Sequence, residues 1–160
     1  MSAPFELPAE AATKLALWRA AQARIVFTNG VYDLVHRGHV EYLEEARALG
    51  DRLVVGLNTD ASVRRLKGPS RPIVAQDDRA AVLRALACVD LVVLFEDDTP
   101  LRLIEAVQPD VLVKGADYAV GDIVGREVVE GRGGLVTTIA LREGLSTSAI
   151  VERIRSGRGV

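Results

Sequence analysis

Short apolar runs alternate with longer amphipathic segments along this chain. The runs are rich in Val, Leu and Ile and lie at residues 25–27, 53–57, 91–95, 111–113 and 135–139. Continuous apolar strands separated by helices are typical of a parallel sheet covered on both faces, because each crossover needs a helix to return the chain. The pattern predicts an α/β, doubly wound fold with a parallel five-stranded sheet.

The amphipathic segments predict helices at about residues 8–21, 38–49, 77–88, 100–107 and 147–155. We expect one domain over residues 1–160, with a core at about 24–155, an N-terminal helix at about 8–21 and a tail at 156–160. Local end signals support these helices. They are Pro8 and Pro100 in first turns, Gly50 as a C-cap, Asp77 or Asp78 as an N-cap, and Ser146 or Thr147 as the start of the last helix.

Polar residues and glycines gather directly after the apolar runs. In open α/β sheets, ligands bind outside the carboxyl ends of the strands, where the strand order reverses. The fold and the polar residues therefore predict one common binding site. Its candidates are Thr28, Asn29 and Gly30 after the first run, Asn58 and Asp60 after the second, Lys114, Gly115 and Asp117 after the fourth, and Arg142, Ser146 and Thr147 after the fifth.

Both histidines of the chain, His36 and His39, lie about one helical turn apart. Gly38 between them lets backbone N–H groups approach a phosphate at a helix N-terminus. Two alternatives are that the histidines only cap the helix, or that they form a metal pair. A metal is disfavoured because a third Cys or His ligand is not evident, so we expect no protein metal site.

Three further segments suggest phosphate or nucleoside contacts. Residues 64–72 place four cations, Arg64, Arg65, Lys67 and Arg71, in a predicted loop that Gly and Pro would stiffen, and such a loop could bind phosphates. A solvated basic loop without a ligand would have the same sequence pattern. Ser146 and Thr147 offer hydroxyls and free backbone N–H groups, as would an ordinary N-cap. Residues 113–118 resemble either a nucleoside pocket or a plain turn.

Composition narrows the class of protein. The content is 49% hydrophobic and 26% charged, and a formal net charge of -2 gives no global attraction to nucleic acid or to anionic membranes. The single Cys88, and the lack of a leader or a membrane-spanning run, fit a cytoplasmic protein. Without GxxxxGK[ST], GxGxxG or GxSxG, kinase, dinucleotide oxidoreductase and serine hydrolase activities lose support.

Several of these motifs resemble those of a known enzyme family. His36-Arg37-Gly38-His39, after Thr-Asn-Gly-Val-Tyr-Asp at 28–33, resembles the HxGH signature of the cytidylyltransferase-like nucleotidyltransferases, and residues 146–148 resemble their second motif. Residues 56–68, 95–100 and 112–118 are similar to the adenylyltransferases of ADP-heptose synthesis. The resemblance covers about residues 25–154, with departures at Ala116, where a second glycine is expected, and at Ser148, where Thr or Asn is frequent.

The resemblance implies a Rossmann-like fold and transfer of AMP from ATP, with Mg²⁺, to D-glycero-β-D-manno-heptose 1-phosphate. A separate sugar kinase would supply that sugar phosphate, and a homodimer is left open. Alternatives are cytidylyl transfer to glycerol 3-phosphate or another polyol phosphate, and a nucleotide-binding or metal-binding module without catalysis.

The resemblance also implies roles for individual residues. His36, His39 and Lys67 would act on the reacting phosphates. The nucleotide phosphates would be bound by Thr28, Asn29, Gly30, Gly38, Ser146 and Thr147, with Asp33 orienting the loop of the first motif. The nucleoside side would be lined by Lys114, Gly115 and Asp117, and the sugar phosphate would be bound by Asn58, Asp60, Arg64 and Arg71. Arg142 is offset by one position from an arginine of the glycerol-phosphate enzymes.

Overall fold

The structure, a computed structural model, describes residues 2–160. Five strands alternate with helices along the chain. The strands are β1 (Ile25–Gly30), β2 (Arg52–Asn58), β3 (Leu91–Phe95), β4 (Val111–Gly115) and β5 (Leu135–Ile139). The helices are α1 (Ala9–Ala20), α2 (Arg37–Arg47), α3 (Asp60–Lys67), α4 (Gln76–Arg84), α5 (Leu101–Val107), α6 (Arg126–Glu130) and α7 (Thr147–Arg155), with a short 3-10 helix at Val120–Asp122.

All strand pairs are parallel, in the order β3-β2-β1-β4-β5. This order confirms the predicted Rossmann-like, doubly wound fold. β1 pairs with β2 along its whole length, from Ile25 to Gly30, but it pairs with β4 only at Val26 and Phe27. β1 and β4 therefore part before their carboxyl ends and leave a crevice where the strand order reverses, which is where such sheets bind ligands.

Successive strand residues point to opposite faces of the sheet, so the central strand is buried on both sides. On one face Phe27 packs in a cluster with Leu15 of α1 and Leu103 of α5. On the other face Val26 packs in a cluster with Leu43 of α2 and Leu83 of α4. This double burial explains why β1 to β4 each contain a continuous apolar run rather than an alternating one.

Two local predictions need correction. The basic segment is largely helix: α3 ends at Lys67, so Arg64, Arg65 and Lys67 lie on it and the loop begins at Gly68. The helix forms because the Thr59 hydroxyl caps it by accepting from the Ser62 N–H, and because Val63 is buried. The short helix α6 was also not predicted.

Some helix ends differ from the prediction as well. α4 begins after Ala75, so Asp77 and Asp78 lie in its first turn, where carboxylates favour the helix dipole, and neither caps it. The C-cap of α2 is Ala48 rather than Gly50. Within residues 2–160, no helix is long and apolar enough to cross a bilayer.

Candidate active site

A cavity of about 1020 Å³ opens at the carboxyl ends of the strands, beside the crevice between β1 and β4. Most of the residues predicted from the sequence line it. They are Asn29, Gly30, Asp33, His36, Gly38, His39, Asn58, Lys67, Arg71, Lys114, Gly115, Asp117, Arg142, Ser146 and Thr147.

Three predicted residues lie outside the cavity lining. Thr28 is fully buried, and its hydroxyl bonds the Tyr42 hydroxyl at 2.8 Å. The carboxylate of Asp60 is paired with Arg79 at 2.8 Å. Arg64 lies exposed on α3. The structure thus does not bring these side chains to a ligand, and Thr28 instead supports the core beneath the cavity.

The two histidines are fixed by their own backbone. His36 is the N-cap of α2, and its Nδ1 accepts a hydrogen bond from the Gly38 N–H at 3.1 Å. The Nδ1 of His39 accepts from the His36 N–H at 3.3 Å. An Nδ1 that accepts a hydrogen bond carries no proton, so in each neutral ring the proton lies on Nε2. Gly38 permits this arrangement, because a Cβ there would lie 2.9 Å from Cε1 of His36.

The surroundings keep both rings neutral. Burial, together with the neighbouring His36, lowers the pKa of His39 to about 4, and burial also lowers the pKa of His36. The rings stack with centroids 3.9 Å apart, and Tyr32 meets His39 edge-on at 5.2 Å. The pair therefore offers two fixed, uncharged Nε2–H donors. The capping interpretation is thus correct, and it leaves these donors available for a ligand.

The start of α7 lies against the start of α2. Leu145 approaches Gly38, with its Cβ 3.4 Å from where a Gly38 Cβ would stand, and Arg142 pairs with Glu41 of α2 at 2.7 Å. The Ser146 hydroxyl caps α7 by accepting from the Ala149 N–H. Since the N-termini of both helices border one cavity, their dipoles favour an anion in it.

Basic groups reach the cavity from the end of α3 and from the loop after it. Lys67, at the end of α3, is exposed, and Arg71 bonds Asp33 at 3.3 Å. Asp33 is 4% exposed and also accepts from the Ile73 and Val74 N–H groups at 2.9 Å. The carboxylate of Asp33 therefore anchors the basic loop to the histidine segment.

On the β4 side, Lys114 lies in partly buried surroundings. Burial lowers the pKa of Lys114 to about 8, against the opposing effect of Asp117. Its Nζ lies 5.3 Å from the centre of the Tyr118 ring. The Tyr118 N–H donates to the Gly115 carbonyl, so this segment is a turn as well as part of the cavity wall.

The sequence analysis did not identify Arg79, a buried side chain whose hydrogen bonds connect the segments that form the cavity wall. This arginine is 1% exposed and donates to the carbonyls of Val31, Asn58 and Val74 as well as to Asp60. It thereby ties the ends of β1 and β2 to the basic loop. The available signal was its spacing of four residues from buried Leu83, which places Arg79 on the apolar face of α4.

The cavity also takes in residues that were not named as candidates, among them Tyr32, Tyr42, Phe95, Asp98 and Asp122. Phe95 ends a predicted strand, so its position at the rim follows from the same rule that located Asn58.

Comparisons with known proteins agree with this geometry. A family model described as cytidylyltransferase-like matches residues 27–153. Relatives named bifunctional protein HldE, from Magnetococcus marinus and Citrifermentans bemidjiense, are 59% identical over 91% of this chain and 61% identical over 83% of it. The chain spans only 30% and 27% of the length of these two relatives.

Solved structures are similar as well. A lipopolysaccharide core biosynthesis protein from Thermoplasma volcanium is 29% identical, with a TM-score of 0.60 over 75% of this chain and 97% of that protein. A protein of unknown function from Archaeoglobus fulgidus is 18% identical, with a TM-score of 0.56 over 78% of this chain and 93% of its own, and shares the fold. Because the family model covers most of the chain and both histidine and serine motifs border one cavity, this chain belongs to the cytidylyltransferase-like family.

Proposed function

We propose that this protein transfers AMP from ATP to a sugar 1-phosphate, D-glycero-β-D-manno-heptose 1-phosphate, and releases pyrophosphate. One observation carries the proposal: two neutral imidazoles, locked as Nε2–H donors, face a cavity that the N-termini of α2 and α7 also border. Such an arrangement suits phosphates whose charge grows during a reaction.

The reaction needs little covalent chemistry from the protein. An oxygen of the sugar phosphate attacks the α-phosphorus of ATP, a new P–O bond forms, and the bond to the β-phosphate oxygen breaks with pyrophosphate leaving. No general base is required, because a phosphate monoester is already ionised near neutral pH. The protein must hold two anions in line and stabilise the charge that builds on the α and β oxygens.

The residues divide this work. His36 and His39 donate to oxygens that gain charge, and the free N–H groups at the start of α7, with the hydroxyl of Thr147, receive the outer phosphates. Lys67 neutralises the reacting phosphates, and Arg71, held by Asp33, faces the sugar phosphate. Lys114, Gly115 and Asp117 line the nucleoside side.

A divalent metal, Mg²⁺, accompanies the nucleotide in this proposal. Within the described part of the chain there is no group of three or more His, Cys, Asp or Glu side chains able to hold a metal ion. That donor set fits an ion held mainly by triphosphate oxygens and water, on phosphates that His36, His39 and Lys67 hold. When bound, the ion neutralises charge on the departing pyrophosphate.

The heptose assignment rests on similarity. The relatives named HldE share more than half of their residues with this chain over the aligned region, and one structural neighbour is a lipopolysaccharide core biosynthesis protein. The relatives are called bifunctional and extend well beyond the match. A separate sugar kinase as the source of the sugar phosphate stays a prediction. A homodimer remains a prediction.

The proposal is tested by pyrophosphate release from a panel of sugar phosphates combined with ATP, CTP and GTP. ATP with the heptose 1-phosphate should give the highest kcat/KM. Faster turnover of CTP with glycerol 3-phosphate would assign the protein to the polyol-phosphate enzymes, and nucleotide binding without pyrophosphate release would make it a binding module.

A further inference from the structure

Few polar contacts hold the carboxyl-terminal segment, residues 141–160, to the rest of the molecule. Within residues 2–160, the only hydrogen bonds between this segment and other parts of the chain join Arg142 to Glu41 of α2. In α7 only Val151 is buried, so apolar packing of the helix is also limited. Because the segment contains Ser146 and Thr147, its attachment decides where these cavity residues stand.

The pair between Arg142 and Glu41 joins the two motif segments of the cavity. One nitrogen of Arg142, Nη1, lies 2.7 Å from Oε1 and 3.0 Å from Oε2 of Glu41. Glu41 lies on α2, in the turn that follows His39, and Arg142 lies shortly before Ser146. An ion pair at this position therefore connects the start of α7 to the helix that carries the histidines.

The two partners stand differently toward the cavity. Arg142 lines it, whereas Glu41 does not. Among residues 2–160, the Nε and Nη2 atoms of Arg142 have no hydrogen-bond partner, since both bonds to Glu41 come from Nη1. A guanidinium carries five N–H donors in a fixed plane. Arg142 can therefore keep Glu41 through Nη1 and still offer other donors to a phosphate, so the two contacts do not exclude each other.

We propose that Glu41 is a positioning residue for the nucleotide: through Arg142 it holds the start of α7 beside the histidine pair. This inference rests on the proposed function. A segment that is not held in place must be ordered when the nucleotide binds, and that ordering weakens binding. If Glu41 instead withheld Arg142 from the ligand, removing Glu41 would strengthen nucleotide binding, so the sign of the effect separates the two roles.

The experiment is a double-mutant cycle of wild type, Glu41→Ala, Arg142→Ala and the double variant, followed by steady-state kinetics of pyrophosphate release. Glu41→Ala should raise KM for ATP about threefold to fivefold, as the loss of a partly exposed ion pair allows, and leave kcat and KM for the sugar phosphate within about twofold. In the Arg142→Ala background, the same substitution should change KM for ATP by less than about 1.5-fold, because Glu41 then has no arginine of α7's segment to hold.

The matched control is Glu130→Ala. Glu130 pairs with Arg126 on α6 at 2.9 Å, has a similarly exposed side chain and lies outside the cavity lining. This variant removes a paired carboxylate without touching the carboxyl-terminal segment, so both KM values should stay at the wild-type level.

The outcomes separate the inference from the function on which it rests. An unchanged or lowered KM for ATP in Glu41→Ala, an equal rise of KM for both substrates, or the same effect with and without Arg142 would overturn the inference, while pyrophosphate release still supports the proposed function. If wild type releases no pyrophosphate, the proposed function fails. Calorimetric titration of the four proteins with ATP and Mg²⁺ then decides on Glu41. A Kd raised about threefold to fivefold by Glu41→Ala only where Arg142 is present supports the inference, and equal or undetectable binding overturns it.

Discussion

At the scale of single residues, the histidine pair shows how a local motif prepares a donor. The backbone N–H groups of His36 and Gly38 occupy the two Nδ1 atoms, so each ring keeps its proton on Nε2 without any other side chain fixing it. The two histidines thus cap the helix through Nδ1 and present Nε2–H donors to the cavity. The capping and the ligand-binding interpretations of the sequence therefore hold together.

The first prediction concerns the donors themselves. Replacing His36 or His39 by Ala should lower kcat by about 10² to 10³, as the loss of one preorganised donor does, while nucleotide affinity changes less. His39→Gln should retain more activity than His39→Ala, because the glutamine amide N–H reaches the place of Nε2. Full activity in both alanine variants, measured as kcat for pyrophosphate release, would refute the assigned role.

The second prediction follows from the lowered pKa of His39. The pKa is about 4 in the folded protein and near 6.5 in the unfolded chain, so the unfolded chain binds the proton first as the pH falls. The stabilising contribution is complete above pH 6.5 and is lost as the pH falls toward 4. Since the ring keeps some solvent contact, we expect a loss of about 1 kcal/mol between pH 7.5 and pH 5.

Urea unfolding of wild type and His39→Gln at both pH values measures this loss. Groups other than His39 titrate in both proteins, so the difference between the two isolates the histidine. The free energy of unfolding of wild type should fall more steeply toward pH 5 than that of the variant. Parallel changes would mean that His39 is not held neutral by the fold.

The third prediction concerns Lys67. An exposed lysine at a helix end contributes little to stability, whereas a cation near developing charge contributes strongly to rate. Lys67→Ala should therefore change the free energy of unfolding by less than about 0.5 kcal/mol and lower kcat/KM by at least about tenfold. Lys14→Ala, on α1, is the control: because Lys14 pairs with Glu10, the substitution should cost up to about 0.5 kcal/mol of stability and leave kcat/KM unchanged. Turnover equal to wild type would return Lys67 to the role of a solvated charge.

At the scale of elements, Arg79 connects pieces of chain that the sequence keeps far apart. Its guanidinium donates to the carbonyls that follow β1, β2 and the basic loop, and it pairs with Asp60 at the start of α3. One fully buried side chain thus bonds all four oxygens, so it connects the carboxyl edge of the sheet to the loop that carries Arg71.

The fourth prediction follows from this linkage. Arg79→Leu should cost about 2 to 4 kcal/mol of unfolding free energy, because it leaves the carbonyls of Val31, Asn58 and Val74, which are buried or partly buried, without this donor and the partly exposed carboxylate of Asp60 without its partner. Arg79→Lys should cost less, since it keeps the charge, but an ammonium group cannot span all four acceptors. Chemical denaturation monitored by circular dichroism measures both. A cost below about 1 kcal/mol for the leucine variant would contradict the linking role of Arg79.

The elements also show what the sequence could predict and why. β3, β5 and α7 have the predicted bounds. The reason is clear for β3, which lies between Asp90 and Glu96, and for α7, which Ser146 caps. α3 was missed because the charged residues and the following Gly68-Pro69 resemble a loop, whereas the buried Val63 that stabilises the helix depends on tertiary packing.

The sequence likewise predicted part of the candidate site. Residues adjacent to strand ends, such as Asn29, Asn58 and Lys114, line one cavity as expected, because the parallel fold brings those ends together. Their roles toward a ligand stay predictions. Side-chain direction was not predictable for Thr28 and Asp60, whose partners Tyr42 and Arg79 lie on other elements.

At the scale of the whole molecule, strand order explains the location of the chemistry. β1 and β4 separate after two paired residues, and the helices that follow β1 and β5 begin at the resulting crevice. The net charge of -2 gives the molecule no general affinity for anions. Phosphate binding is therefore a property of this cavity, with its two helix N-termini, neutral histidines and local cations.

The most direct test of nucleotidyl transfer follows the label of ATP into the products. The purified protein is incubated with Mg²⁺, the heptose 1-phosphate and ATP labelled with ³²P at either the α or the γ position, and the products are separated. The account predicts that the α label appears in a nucleotide sugar and the γ label in pyrophosphate, in equal amounts. A γ label transferred to the sugar, or no transfer of either label, would contradict it.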